Sequence, residues 1–142
     1  MRRLLKKQGG FTLLELLIIV VIVGILAILI IPNLISGPQR ARDAERKKDL
    51  RNLKTYLETY FNDNNSYPSA ATWEAGLTQG PTPYVSAKNW PKDPKSNTNY
   101  VYVPSPAGCD NGACVSYTLT ATMENSKDAQ ASNGAYTVES AN

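Results

Sequence analysis

An unbroken apolar run near the N-terminus constrains this chain more than any other feature. All sixteen residues from Leu16 to Ile31 are apolar, and fourteen of them are Leu, Ile or Val. Counted from Phe11, the segment holds 21 residues, which as an α-helix would reach about 31 Å, the thickness of a bilayer's hydrocarbon core. Inserting such a helix into lipid gains about 4 to 8 kcal/mol, more than one acidic residue costs. The run therefore predicts a membrane-spanning helix.

A helix buried in the core of a soluble protein is the alternative interpretation of this run. The chain has only 142 residues, enough for one modest domain. The mostly polar residues that remain could not cover an apolar helix on every side. The membrane interpretation is therefore favoured.

The charged segment before the run resembles the start of an export signal. Four cations lie there, namely Arg2, Arg3, Lys6 and Lys7. Residues 32–37 offer no convincing site for cleavage after the run, whereas the small pair Gly9-Gly10 lies before it. Cations also follow the run closely, so the positive-inside rule alone does not set the orientation.

Composition excludes several classes of catalytic and metal site. The chain has no His and only two Cys, which removes histidine-based catalytic triads, imidazole zinc sites and four-cysteine zinc sites. We find no pair of nucleophile and base and no phosphate-binding loop. The sequence therefore predicts a protein that is not an enzyme and has no cofactor.

The N-terminal pattern resembles the class III signal of type IV pilins and pseudopilins. Its parts are Arg2-Arg3, Lys6-Lys7, Gly10-Phe11-Thr12-Leu13-Leu14-Glu15 and an apolar helix closing at Ile31-Pro32. A second likeness lies at Asn64-Asn65-Ser66-Tyr67-Pro68, where Asn65 stands in place of the Gly of the family's loop. The resemblance covers the first half of the chain firmly and the rest loosely.

The resemblance implies processing and polymerisation. A prepilin peptidase would remove residues 1–10 by cutting after Gly10 and would N-methylate Phe11. The expected partners are copies of the same chain in a helical filament, the peptidase, assembly platform proteins in the membrane, and membrane lipid before assembly. Before assembly, the subunit would be a single-pass protein of the cytoplasmic membrane. After assembly, it would be part of a filament on the cell surface.

Glu15 is the one acidic residue at the edge of the apolar segment. A carboxylate there is costly unless it is paired. It could bind the Phe11 amine of a neighbouring subunit, the contact by which the family is thought to set register. It could instead bind the amine of its own chain, one helical turn away, or extend toward the lipid headgroups.

Three places in the sequence predict weak points in the helix. Gly24 lowers helix stability, and Pro32 removes a backbone hydrogen bond. The pattern from Ser36 to Gln39 is typical of a fresh helix start. We therefore expect a first helix over residues 11–35, a hinge near Gly37 and an amphipathic helix over residues 36–62.

Charge is divided between the second helix and the rest of the chain. Residues 39–54 carry seven cations and three acids, whereas residues 55–142 carry four cations and eight acids. In a filament, the basic helix of one subunit could pair with the acidic head of another. An ordinary solvated helix face is an equally simple explanation, and binding of anionic lipid or nucleic acid is a weaker one.

The C-terminal residues 63–142 predict a small globular head. A loop with a short helix near residues 71–76 comes first, with Trp73, Tyr84 and Trp90 as core anchors. Strands are expected at residues 100–103, 115–123 and 136–138, the second showing clear apolar and polar alternation. The expected fold is α+β, with a long helix packed on an antiparallel sheet.

Two further features of the head point to specific chemistry. Cys109 and Cys114 flank Asn111-Gly112, a favoured hairpin turn, and are placed to form a small disulfide outside the cytoplasm. The resemblance to major pseudopilins also implies calcium, for which Glu124, Asn125, Asp128 and Asn133 could supply oxygens. Their spacing matches no EF-hand loop, and a solvated polar loop explains them as well.

Together these features predict a prepilin that forms a type IV pilus. The alternative within the family is the major pseudopilin of a type II secretion system. A membrane-anchored binding protein of another class would leave Gly10, Phe11 and Glu15 unexplained.

Overall fold

The computed structural model describes residues 10–110 and 113–141, apart from the side chains of residues 32–35. Its elements are helix α1 (Leu13–Asn64), helix α2 (Trp73–Thr78), a short 3-10 helix (Ala87–Asn89), and strands β1 (Val101–Ser105), β2 (Ser116–Thr122) and β3 (Ala135–Glu139). The predicted α+β class, with one long N-terminal helix and a three-stranded antiparallel sheet, is confirmed. Residues 1–9 of the expected leader and the turn expected at Asn111-Gly112 lie outside the described residues.

Helix α1 is continuous over 52 residues. It passes through Pro32 and Gly37 without a break in its helical backbone, so the fresh helix start expected at Ser36 does not occur. One reason is that a helical Gly or Pro costs only local stability, which many neighbouring hydrogen bonds can offset. The chain nevertheless divides into two compact units, one ending at Gly37 and the other beginning at Pro38. The hinge itself stays a prediction.

The core of the second unit forms where α1 meets the sheet. The strands are ordered β1-β2-β3, and Tyr102 pairs with Leu119, which pairs with Val138. From α1, the fully buried side chains are Leu50, Leu53 and Leu57. Their spacing of three and four residues places them on one helix face. That face packs with the inward residues of β2 in a single hydrophobic cluster.

Aromatic side chains extend this core beneath the loop that follows α1. Trp73 stacks on Tyr102 with ring centroids 4.9 Å apart, and its edge meets Trp90 at the same separation. Trp73 and Trp90 are buried, and Tyr84 packs against the cluster. The three aromatic residues are thus core anchors, as predicted, and the short helix lies two residues later than expected.

A turn at Asn65 ends α1 and directs the chain into the head. Asn65 has a φ of 56° and donates its backbone N–H to the carbonyl of Phe61 at 2.7 Å. This left-handed conformation favours Gly, and Asn is the next most tolerant residue. The replacement noted in the sequence therefore preserves the backbone geometry.

The cysteine loop is tied to the same turn. Cys109 and Cys114 form a disulfide with their Cα atoms 5.3 Å apart. Tyr67 donates its backbone N–H to the carbonyl of Cys114 at 2.9 Å, and the hydroxyls of Tyr67 and Tyr117 both donate to Glu58 at 2.9 Å. The Tyr67 hydrogen bond therefore holds Cys114 next to the end of α1, and the disulfide links Cys109 to the same point.

We predict that substitutions of Asn65 will follow its backbone conformation. Asn65→Ala should lower the free energy of unfolding by about 1 kcal/mol, because a Cβ without a polar tip is unfavourable there. Asn65→Gly should equal or exceed the natural chain in stability. Chemical denaturation of the purified protein measures both. Equal losses for Ala and Gly would contradict this account.

Candidate functional site

The start of α1 places the expected processing residues on exposed backbone. Gly10, Phe11 and Thr12 precede the helix and are not helical, and the Phe11 side chain is 74% exposed. The Thr12 hydroxyl accepts the backbone N–H of Glu15 at 3.2 Å, and the Thr12 carbonyl accepts that of Leu16. Thr12 is therefore the N-cap of α1, and Glu15 lies in the first turn.

Thr12 is a residue that our sequence analysis missed. The pattern Thr12-x-x-Glu15 is itself a capping signature, so the sequence contained the signal. The side chain of Glu15 is exposed in the isolated chain. A carboxylate in the first turn also interacts favourably with the helix dipole.

The first unit presents its apolar side chains outward. Each large hydrophobic side chain from Leu13 to Ile31 is between 44% and 82% exposed. By length and composition, α1 is the one helix in the described part of the chain that could cross a membrane. A Cβ added at Gly24 would meet nothing within 4 Å apart from the adjoining helix backbone. This surface must be covered by something other than the chain itself.

The second unit contains a cluster of ion pairs around Arg46, which is itself almost completely buried. Its guanidinium donates to Asp43 at 2.7 Å, to Asp93 at 2.6 and 3.2 Å, and to Glu124 at 3.0 Å. Asp43 lies on the same helix, three residues earlier, whereas Asp93 and Glu124 come from the head. Arg46 therefore connects α1 to two separate loops.

Asp43 and Arg42 complete the contacts of Arg46 with the loop after β2. The two carboxylate oxygens of Asp43 accept the backbone N–H groups of Glu124 and Asn125 at 2.9 and 2.8 Å. Arg42 forms a bidentate pair with Glu124, with both distances 2.7 Å. Arg–carboxylate pairs of this geometry are among the strong and directional ones.

Lys47 binds the same loop one turn further along α1. Its ammonium contacts both oxygens of Asp128 at 2.6 Å and Oε1 of Gln130 at 3.0 Å. It also lies 5.6 Å from the ring centroid of Tyr136. Four side chains of α1 therefore hold the loop between β2 and β3, namely those of Arg42, Asp43, Arg46 and Lys47.

These contacts bear on two alternatives that the sequence left open. Arg42, Arg46 and Lys47 bind the acidic head of their own chain, whereas Arg40, Lys48 and Arg51 are the exposed cations of this stretch. The calcium candidates Glu124 and Asp128 are bonded to cationic side chains instead. In this arrangement they do not fit a calcium site.

The ion pairs shift the pKa values of the carboxylates involved. Hydrogen bonds from Arg42, and further ones from Arg46 and Lys95, lower the pKa of Glu124 to about 2. Arg46 lowers the pKa of Asp93, and Lys47 lowers that of Asp128. Asp49, half-buried and bonded to Tyr100, is the opposite case because burial raises its pKa.

The sequence concealed the partners of Arg46. Asp93 and Glu124 lie 47 and 78 residues away from it. Only the spacing of Asp43 and Arg46, three residues apart on a helix, was a readable signal. Every buried side-chain nitrogen and oxygen in the described part of the chain has a hydrogen-bond partner.

Comparison with known families gives two matches on this chain. Residues 5–31 match the prokaryotic N-terminal methylation motif, and residues 33–132 match the type II secretion system protein G family. The second match covers more than half of the chain. No solved structure matches the chain significantly.

Individual relatives carry the same description, "Type II secretion system core protein G". The protein from Pseudomonas aeruginosa is 40% identical over 62% of this chain, and that from Pectobacterium carotovorum is 38% identical over 61%. These alignments span 62% and 56% of the relatives' own lengths. The protein from Vibrio cholerae is 36% identical over 82% of this chain and 83% of its own length.

We predict that acid weakens the attachment of α1 to the head. Glu124, Asp93 and Asp128 have lower pKa values in the folded chain than in the unfolded one, so the folded state binds fewer protons in acid. Their stabilisation is complete above about pH 4.5 and is lost as the pH falls toward about 2, the pKa of folded Glu124. Thermal unfolding at a series of pH values measures this.

Glu124→Gln is the matched control for this titration. It removes one of the three contributing groups, so its melting temperature should fall less steeply between pH 4.5 and 2. A natural chain whose melting temperature is constant across that range would refute the role of the ion pairs.

Proposed function

The chain belongs to the type II secretion system protein G family, and we propose that it is the major pseudopilin of such a system. As such, it would be the repeating subunit of a short filament in the periplasm, anchored in the inner membrane before assembly. Membership in this family of structural subunits agrees with the expectation that the chain is not an enzyme. It also favours the alternative from our sequence analysis over a surface pilus, and we do not propose a role in adhesion or motility.

The observation that carries this proposal is the uncovered apolar half of α1. The large hydrophobic side chains from Leu13 to Ile31, which are 44% to 82% exposed, require lipid before assembly and neighbouring helices after it. A filament made of copies of this chain supplies such neighbours. The match of residues 5–31 to the methylation motif supports the same conclusion.

The backbone around Gly10 suits processing by a prepilin peptidase. Proteolysis requires accessible, non-helical chain, and residues 10–12 meet that requirement immediately before α1 begins. Cleavage after Gly10 would leave a cationic amine on Phe11, four residues before Glu15. The Thr12 cap would keep the helix start intact after the leader is removed.

Glu15 is our proposed assembly residue. Its carboxylate is exposed on a helix whose other nearby side chains are apolar. Pairing with the Phe11 amine of a neighbour would neutralise two charges that are costly in a low-dielectric medium. Pairing with the amine of its own chain, or extension to the headgroups, would give Glu15 no role in assembly.

Mass spectrometry of the mature protein tests the processing. We expect an N-terminus at Phe11 that carries one methyl group. The control is a Gly10→Val variant, which should keep its leader because a branched side chain obstructs the cut. Mature filament subunits that begin at Met1 would contradict the assignment.

Glu15→Ala tests assembly and secretion together. Because the apolar helix is unchanged, membrane insertion and cleavage should be normal, whereas filaments and export by the secretion system should be lost. Glu45→Ala is the matched control, since Glu45 is an exposed acid on the same helix outside the apolar segment. Normal export by the Glu15 variant in a strain that lacks the natural chain would rule out the pairing.

A further inference from the structure

The loop between β2 and β3 has the composition of a cation site but is already supplied with cations. Glu124 and Asp128 are its acidic residues. Both oxygens of Glu124 accept hydrogen bonds from Arg42, and both oxygens of Asp128 contact the ammonium of Lys47. The positive charges that this loop needs therefore come from α1 of the same chain.

The side-chain oxygens of Asp43 and Asn125, beside and within the loop, are also engaged. Asp43 accepts two backbone N–H groups from the loop and a third hydrogen bond from Arg46. Asn125 Oδ1 accepts the backbone N–H of Lys127 at 3.2 Å. Calcium requires six to eight oxygen ligands, and among the residues described no group of three or more acidic, His or Cys side chains is arranged to hold a metal ion.

Geometry and charge act in the same direction here. Lys47 is largely buried in its contact with Asp128, at 12% side-chain exposure, and Arg46 is almost fully buried beside Glu124. A divalent cation would have to displace these groups or lie close to them, and like charges repel strongly where water is scarce. The occupied carboxylate oxygens and the buried positive charges therefore both disfavour a metal ion here.

We propose that Arg42, Arg46 and Lys47 fix the loop between β2 and β3 in the way that a bound calcium ion would, so that the head folds without calcium. The three cations bind two different parts of the loop. Arg42 and Arg46 hold the start of the loop through Glu124, and Lys47 holds its middle through Asp128. The hydrogen bonds from Glu124 and Asn125 to Asp43 orient the backbone between them.

Thermal unfolding of the purified full chain in detergent tests this proposal. We expect the same melting temperature in EDTA and in millimolar calcium chloride. A higher melting temperature in calcium would overturn the proposal. The measurement does not depend on processing or secretion, so its failure is distinguishable from failure of the proposed function.

Paired variants test the role of the cations directly. The double variant Arg42→Gln with Lys47→Gln should melt at a lower temperature than the natural chain in EDTA. Lys48→Gln with Arg51→Gln removes two exposed cations of the same helix and should leave the melting temperature unchanged. Equal melting temperatures for the two double variants would overturn the proposal, and if the first pair fails to fold, Lys47→Gln alone replaces it.

Discussion

The buried guanidinium of Arg46 is the interaction on which the second unit of the molecule depends. A charge removed from water is tolerated only when its donors are matched, and here Asp43, Asp93 and Glu124 supply that match. Buried ion pairs contribute little net stability, but removing one partner typically costs about 3–5 kcal/mol. Such a cluster therefore favours one specific arrangement of its partners. Its directional hydrogen bonds favour one placement of α1 against the loops at Asp93 and Glu124, whereas the apolar contacts of Leu50, Leu53 and Leu57 are not directional.

The two halves of α1 have different surroundings. Below Gly37, no large hydrophobic side chain described on the helix is buried by the chain itself. Beyond Pro38, the same helix contributes a leucine face to the core and a row of cations to the head. This division explains why the average composition does not reveal the membrane-spanning segment. The apolar half of α1 is averaged with a polar domain to which the other half of the same helix belongs.

Local patterns predicted much of this structure. The apolar run, the leucine spacing on α1, the alternation along β2 and the cysteine spacing each concern residues close in sequence, where periodicity is informative. The ion cluster was not predictable, because its partners lie 47 to 82 residues apart and meet only after the loops are placed. The sequence divided the charge between a basic helix and an acidic head, but it left open whether the two pair between subunits or whether the helix face is simply solvated. The likeness to pilins was equally limited, because its strongest residues, from Gly10 to Glu15, are common to pilins and pseudopilins.

The exposed apolar half of α1 also bears on how reversible a filament of such chains can be. Lipid tails are as apolar as leucine, so a helix that leaves the bilayer for a bundle of like helices gains almost no hydrophobic free energy. Exposing this apolar surface to water would be strongly unfavourable. Its free energy in lipid, however, is nearly the same as in a polymer of like helices. The balance between the two must then be set by a few polar groups and by the heads. Transfer of such a helix between the membrane and a bundle of like helices therefore costs little hydrophobic free energy in either direction.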